Sequence, residues 1–417
     1  MRIALALSSV LLALPLAASG ATQDREMVDR VLLKSGRDLE GRVLFENEEF
    51  LIVDTGHKEQ RVPQSDVAEV ESVERSLVKF LERFDAIDVG NPEQLLELAR
   101  FAEEHELPGE ARNLHLRVLG VDPTNEVAWK SLGGKMSKRL GWRLRVRGRY
   151  LTLDALRERV SDWRNALELT TAHFFIRTDI APERALDLAI NIERAYLEFY
   201  SLFGTTLELF VFSELPSIYV YASEEEFPPP TVDGKNAWYT EEDNILYVNG
   251  GGDGKEVARE AMRHFIDMMM FTSFKRTMGD DGMPAPFVSR GVGLLFGAAL
   301  EFDRSFAEWK FESPSEALFQ LHANAEEVRT IKEILNASEG DYASGGNAPL
   351  TVAQTYTLMY FLVFGENGRY RDSLSRFVAS SFTGRSSSSH FEEILGIKIE
   401  DLEPSYTAFV KQVASGT

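Results

Sequence analysis

From residue 29 to residue 71 apolar and polar positions alternate in five short runs: Arg30-Val31-Leu32-Leu33-Lys34, Leu39-Glu40-Gly41-Arg42-Val43-Leu44, Phe50-Leu51-Ile52-Val53, Gln60-Arg61-Val62 and Val67-Ala68-Glu69-Val70. Turn signals at Ser35-Gly36, Glu46-Asn47 and Thr55-Gly56 separate the runs, so the period of two predicts five short strands. From Val73 the period becomes helical. Leu95, Leu96, Leu98, Ala99 and Ala102 form one stripe, broken at Leu107-Pro108-Gly109. Ala111, Leu114, Val118 and Leu119 form a second, and Val127, Ala128 and Leu132 mark a short helix after Asp122-Pro123-Thr124. Further strands are predicted at Phe174-Phe175-Ile176-Arg177-Thr178, Ile218-Tyr219-Val220-Tyr221, Ala237-Trp238-Tyr239 and Ile245-Leu246-Tyr247-Val248. A long amphipathic helix from Glu183 to Phe203, ended by Gly204, lies among them, and after Gly250-Gly251-Gly252 nearly everything is helical. A sheet followed by helices is an α+β arrangement.

The five strands read as a small antiparallel barrel of SH3-like type over residues 26–74, a unit that binds something or acts as a spacer. Residues 75–136 resemble one tetratricopeptide-like helical hairpin. A solenoid needs about three such repeats to bury its faces, so the hairpin must dock on a neighbouring domain. Residues 161–417 behave as one α+β domain.

Residues 134–150 between them are basic, with Lys135, Lys138, Arg139, Arg143, Arg145, Arg147 and Arg149 in a chain that is otherwise acidic. A nucleic-acid patch is one reading. A basic linker over residues 137–160, paired with the acidic body of the same protein, is the other, and net charge favours it. Lys plus Arg number 45 against 66 Asp plus Glu, a net charge of −21. That balance argues against nucleic acid or an anionic bilayer as a general partner. With no cysteine in the chain, neither disulfides nor thiolate metal sites can stabilise it.

At the N-terminus Arg2 precedes an apolar run from Ile3 to Ala18 and the small residues Ser19, Gly20 and Ala21. This layout predicts a cleaved secretory signal over residues 1–20. An uncleaved anchor is the competing reading, but the run is shorter than the roughly 20 residues that a membrane span needs. Export to a periplasmic or extracellular location follows, with no transmembrane segment after cleavage.

The stretch from Lys255 to Phe271 separates into two helical stripes. Val257, Ala258, Ala261, Met262, Phe265, Ile266, Met269 and Met270 make the apolar face, and Glu256, Arg259, Glu260, Arg263, His264 and Asp267 the polar one. A second helix opens at Ala285-Pro286-Phe287-Val288-Ser289-Arg290-Gly291. This order, a sheet and then a helix with a central Glu and a second helix, resembles the gluzincin-type (peptidase MA-like) peptidases and a related group of bacterial peptidase-like domains of unassigned substrate. Thr171-Ala172-His173-Phe174, the stretch from Gln354 to Leu362 with Gly368-Arg369-Tyr370-Arg371, and His390-Phe391-Glu392-Glu393-Ile394-Leu395-Gly396 fit the same group. The resemblance covers about residues 165–415 and rests on the order of segments.

In those enzymes the first helix carries His-Glu-x-x-His, because histidines four apart on one face grip a single ion, with the Glu between them as general base. A Glu opening the second helix is the third ligand. The resemblance therefore places Arg259 and Arg263 at the histidine positions, Arg290 at the third ligand and Glu260 at the base position, where it is vestigial. Guanidinium has five donors and no acceptor lone pair, so no metal and no other cofactor is expected there. A shifted site is conceivable from Glu256, Glu260 and His264. Eight helical residues span about 12 Å, so only two neighbours could share an ion, with a third ligand from Asp280 or Asp281. His264 otherwise reads as a hydrogen-bonded residue beside the cleft.

Two functions remain in view. One is an exported, non-catalytic peptidase-like protein that binds or scaffolds a protein, peptide or glycan partner in the cell envelope and takes no nucleic acid. The other is an active metal-dependent hydrolase or peptidase that uses the shifted site. For the first, Arg259, Arg263 and Arg290 either converge as an anion pocket or splay and pair separately with acidic residues.

Overall fold

A computed structural model describes residues 29–146, 149–207, 211, 215–228, 236–240, 242–251, 261–269, 285–298, 314–343, 347–381 and 383–416. The signal expected at residues 1–20 lies outside the described residues. Five strands open the fold, β1 (Asp29–Leu33), β2 (Asp38–Glu46), β3 (Phe50–Asp54), β4 (Glu59–Pro63) and β5 (Val67–Glu71), in the antiparallel order β4-β3-β2-β1-β5. β2 pairs with β1 through its first half and with β3 through its second, with a register shift between Val43 and Phe45. Such a bulge bends a strand. The sheet thereby folds round a small core of Val31, Val43, Leu51, Val53, Val62 and Val70.

Four helices follow, α1 (Val73–Ala86), α2 (Pro92–Glu104), α3 (Pro108–Val121) and α4 (Glu126–Ser131). The side chains of Ser72 and Asn91 accept from the first-turn N–H groups of α1 and α2, which fixes where each helix starts. The expected stripes of α2 and α3 are buried. On α4 the expectation fails at Val127, which is 50% exposed, whereas Trp129 is buried and stacks on Trp142 at 6.0 Å.

The basic stretch is not a linker. It folds as an antiparallel meander of β6 (Lys135–Ser137), β7 (Gly141–Val146) and β8 (Arg149–Leu151), followed by α5 (Leu153–Val160). Leu144, Leu156 and Val160 belong to the same core as α1 to α4. The physical reason lies in the period: Trp142, Leu144 and Val146 alternate with Arg143 and Arg145, and the charge count hid that alternation.

A mixed sheet organises the remaining chain. Its strands are β9 (Leu167–Thr170), β10 (Phe175–Thr178), β11 (Ser217–Tyr221), β12 (Ala237–Thr240) and β13 (Ile245–Asn249), in the order β12-β13-β11-β10-β9. β10, β11 and β13 run parallel, and β9 and β12 are antiparallel edges. α6 (Pro182–Leu207) makes the crossover from β10 to β11 and continues through Gly204, the residue expected to end it. A glycine in a helix costs only about 1 kcal/mol against alanine, and burial of Leu202 and Phe203 beside it outweighs that.

Helices complete the domain: α7 (261–269), α8 (Pro286–Ala298), α9 (Glu316–Ala323), α10 (Ile331–Leu335), α11 (Glu339–Ala343), α12 (Ala348–Phe364), α13 (Arg371–Ser381), α14 (Ser388–Leu395) and α15 (Ile399–Ala414). α12 is buried on nearly every side and forms the axis of this half. Among the described residues no helix is long and apolar enough to cross a membrane.

The helical segment docks as its short length requires. Glu110 of α3 accepts from Ala172 N–H at 2.6 Å, Asn113 donates to the Thr170 carbonyl at 3.2 Å, and Arg117 pairs with Asp187 of α6 at 2.6 Å. Gly109 permits the approach, because a Cβ there would lie 2.4 Å from the Thr170 carbonyl oxygen.

Candidate functional site

The apolar face of α7 is deep in the core: Met262, Phe265, Ile266 and Met269 are buried, and so is Met268, which the stripe did not include. α8 packs against it through Gly293, where a Cβ would stand 2.9 Å from the Arg263 Cα. On its other side Gly291 lies against α12, with room for no Cβ beside the Met359 side chain. Glycine at 293 lets α7 and α8 approach to backbone contact, and glycine at 291 leaves room for the Met359 and Thr355 side chains of α12. Arg290 sits one turn before Gly293, so Arg263 and Arg290 lie on facing turns of adjacent helices. Arg259 and Glu260 lie outside the described residues, as do Glu256, Asp280 and Asp281.

The two described arginines have different partners. Arg290 Nε donates to Glu339 Oε2 of α11 at 2.8 Å, its Nη2 bonds the same oxygen, and its guanidinium lies 5.3 Å from the Tyr342 ring centre. Tyr342 is itself held by a hydrogen bond between its hydroxyl and Thr355 Oγ1 of α12 at 2.9 Å. Arg263 Nη2 lies 2.8 Å from His264 Nε2. Arg290 is thus paired with an acidic residue of α11. Arg263 has no carboxylate partner among the described residues. Asp267, four residues beyond Arg263, faces His264 instead, with its Oδ2 3.4 Å from Nδ1.

This arrangement assigns a tautomer. Arginine can only donate, so the Nε2 lone pair of His264 is the acceptor and the ring proton is on Nδ1, toward Asp267. The polar stripe is half-buried rather than solvated: the His264 side chain is 15% exposed. Zinc does not fit these residues. Arg263 and Arg290 offer no lone pair, and the Nε2 lone pair of His264 is engaged by Arg263. Among the described residues no group of three His, Asp or Glu side chains is placed to hold a metal ion.

A second polar constellation escaped the sequence reading. His173, in the turn between β9 and β10, is fully buried and stacks on Tyr196 at 3.6 Å. Its Nδ1 is 2.8 Å from Glu193 Oε2 of α6, its backbone N–H donates to Glu193 Oε1 at 2.8 Å, and its Nε2 stands 3.5 Å from Glu74 Oε1 of α1. Asp29 at the start of β1 is buried nearby and accepts from Val43 and Val73 N–H at 2.7 and 3.0 Å. Burial by itself lowers the His173 pKa, but the charge and hydrogen bond of Glu193, followed by Glu74, raise it to about 9. Burial and the Glu74 charge push the Asp29 carboxyl up to about 7, against the two backbone bonds. The network joins the N-terminal sheet, α1 and the mixed-sheet domain. Its one sequence signal is Glu193, a charge set within the buried stripe Ala189, Ala195, Tyr196 and Phe199.

No family model, curated protein or solved structure matches this chain.

Proposed function

We propose that the protein is an exported, non-catalytic peptidase-like protein of the cell envelope, in which a gluzincin-like domain carries an SH3-like barrel and a tetratricopeptide-like segment and serves to bind or scaffold a partner. One observation carries the reading. Arg263, at the position of the second zinc-binding histidine, donates to His264 Nε2, so it both lacks a lone pair and occupies that of its neighbour. The order of a mixed sheet with an antiparallel edge strand, then α7, then α8 supports the family resemblance on which the position rests. Glu260 then has no metal-bound water to activate.

Restoring the ligands tests this. The variant Arg259→His/Arg263→His/Arg290→Glu should take up stoichiometric zinc, while the wild type takes up none. A folded variant that binds no zinc would break the alignment of α7 and α8 with the peptidase helices.

A further inference from the structure

From Val127 to Leu153 the chain has no Asp or Glu, and it contains Lys130 and the seven basic residues from Lys135 to Arg149. Lys130 is paired with Glu126 on its own helix. Among the described residues Lys135, Lys138, Arg139, Arg143, Arg145 and Arg149 form no ion pair with any carboxylate. The meander register explains how they are displayed. Lys135 pairs with Arg143 and Arg145 with Tyr150, so these four share the face opposite buried Leu144. Lys135 Nζ and Arg143 Cζ lie 5.8 and 5.5 Å from the Tyr150 ring centre. At the end of the β6–β7 hairpin, Lys138 and Arg139 are exposed in the turn beside Leu140, which is 54% exposed, and Met136, which is 62% exposed. Two exposed apolar side chains beside a basic turn are the combination that a headgroup–acyl boundary can take up, charge outside and apolar surface within.

We propose that the β6–β7 end of the meander docks on an anionic phospholipid bilayer, with Met136 and Leu140 entering the boundary between headgroups and acyl chains and Lys138 and Arg139 in the turn, with Lys135 and Arg143 behind them, facing lipid phosphates. A soluble polyanion would satisfy the charges but leave Met136 and Leu140 in water. The chain's net charge of −21 does not oppose local docking, because exposed charges farther away than about 8 Å are largely screened at physiological ionic strength. Basic clusters and apolar side chains together are what hold peripheral proteins on such surfaces.

The test is co-sedimentation of the full chain with phosphatidylcholine vesicles that do or do not contain phosphatidylglycerol. Binding is expected only with phosphatidylglycerol and should weaken with salt. Met136→Ser/Leu140→Ser should lower the partition roughly tenfold or more, from the loss of two buried apolar side chains. Lys138→Glu/Arg139→Glu should abolish binding. Both pairs are exposed, and circular dichroism would verify that each variant keeps its fold. Equal binding to both vesicle types, or no binding to either, overturns the proposal. So does equal binding by wild type and Met136→Ser/Leu140→Ser, which would mark a general polyanion site, and so does self-association of the wild type through this hairpin without lipid binding.

Discussion

His173 Nδ1 lies 2.8 Å from Glu193 Oε2, with side chains 0% and 1% exposed, and this pair ties the turn that opens the mixed sheet to the helix that crosses it. With Glu74 beside the imidazole and Asp29 under the same carboxylate, the three parts of the chain meet at groups that titrate. Both shifted groups push stability in one direction. His173, raised from 6.5 to about 9, contributes stability that is complete below pH about 6.5 and lost as pH rises through about 9. Asp29, raised from 3.8 to about 7, holds its proton longer when folded, so stability falls as pH rises from about 4 to about 7.

Burial lowers the His322 pKa from 6.5 to about 4, which adds stability as pH rises to about 6.5, so the urea midpoint should fall above that range, from about pH 7 to about pH 9. Glu193→Gln should flatten the upper part of that fall and cost about 3–5 kcal/mol at pH about 6, the usual penalty for removing one member of a buried pair. A midpoint that rises across this range would contradict the assignment of His173 as the buried cation.

Helix spacing supplies a second expectation. Gly293→Ala would place a Cβ 2.9 Å from the Arg263 backbone, so α7 and α8 must move apart at a cost of about 1–3 kcal/mol. Gly120→Ala at an exposed position of α3 meets nothing within 4 Å and should stabilise by about 0.4–1 kcal/mol. Thermal unfolding of the two variants reads both signs. Equal, small effects would mean that α8 does not seat against Arg263.

These contacts mark where sequence patterns carried and where they stopped. The period of two located all five strands of the first sheet, and the helical period located the buried stripes of α2 and α3, because each element has one wet face. β9 was missed although Leu167 and Leu169 alternate with Glu168 and Thr170, and the arginines of β7 masked an alternation that was present. Near the candidate site, Phe265 and Met269 were legible as core. The partners of Arg290 and His264 were not, because Glu339 comes from a helix 49 residues away and Arg263 to His264 is a bond between neighbours on one turn.

The bond from Arg263 to His264 predicts the Nδ1–H tautomer. Long-range ¹⁵N–¹H correlation spectra at neutral pH should show an unprotonated Nε2 on His264, and Arg263→Ala should release that preference. A protonated Nε2 in the wild type would show that Arg263 points elsewhere and reopen the site to an anion or a metal.

The most direct measurement of the central claim is the zinc content of the purified wild-type protein, by mass spectrometry of the metal, together with peptide hydrolysis by wild type and Glu260→Gln. On the proposed alignment, with guanidinium groups at all three ligand positions, substoichiometric zinc and no hydrolysis above background by either protein are expected. Stoichiometric zinc with hydrolysis abolished by Glu260→Gln would contradict the account.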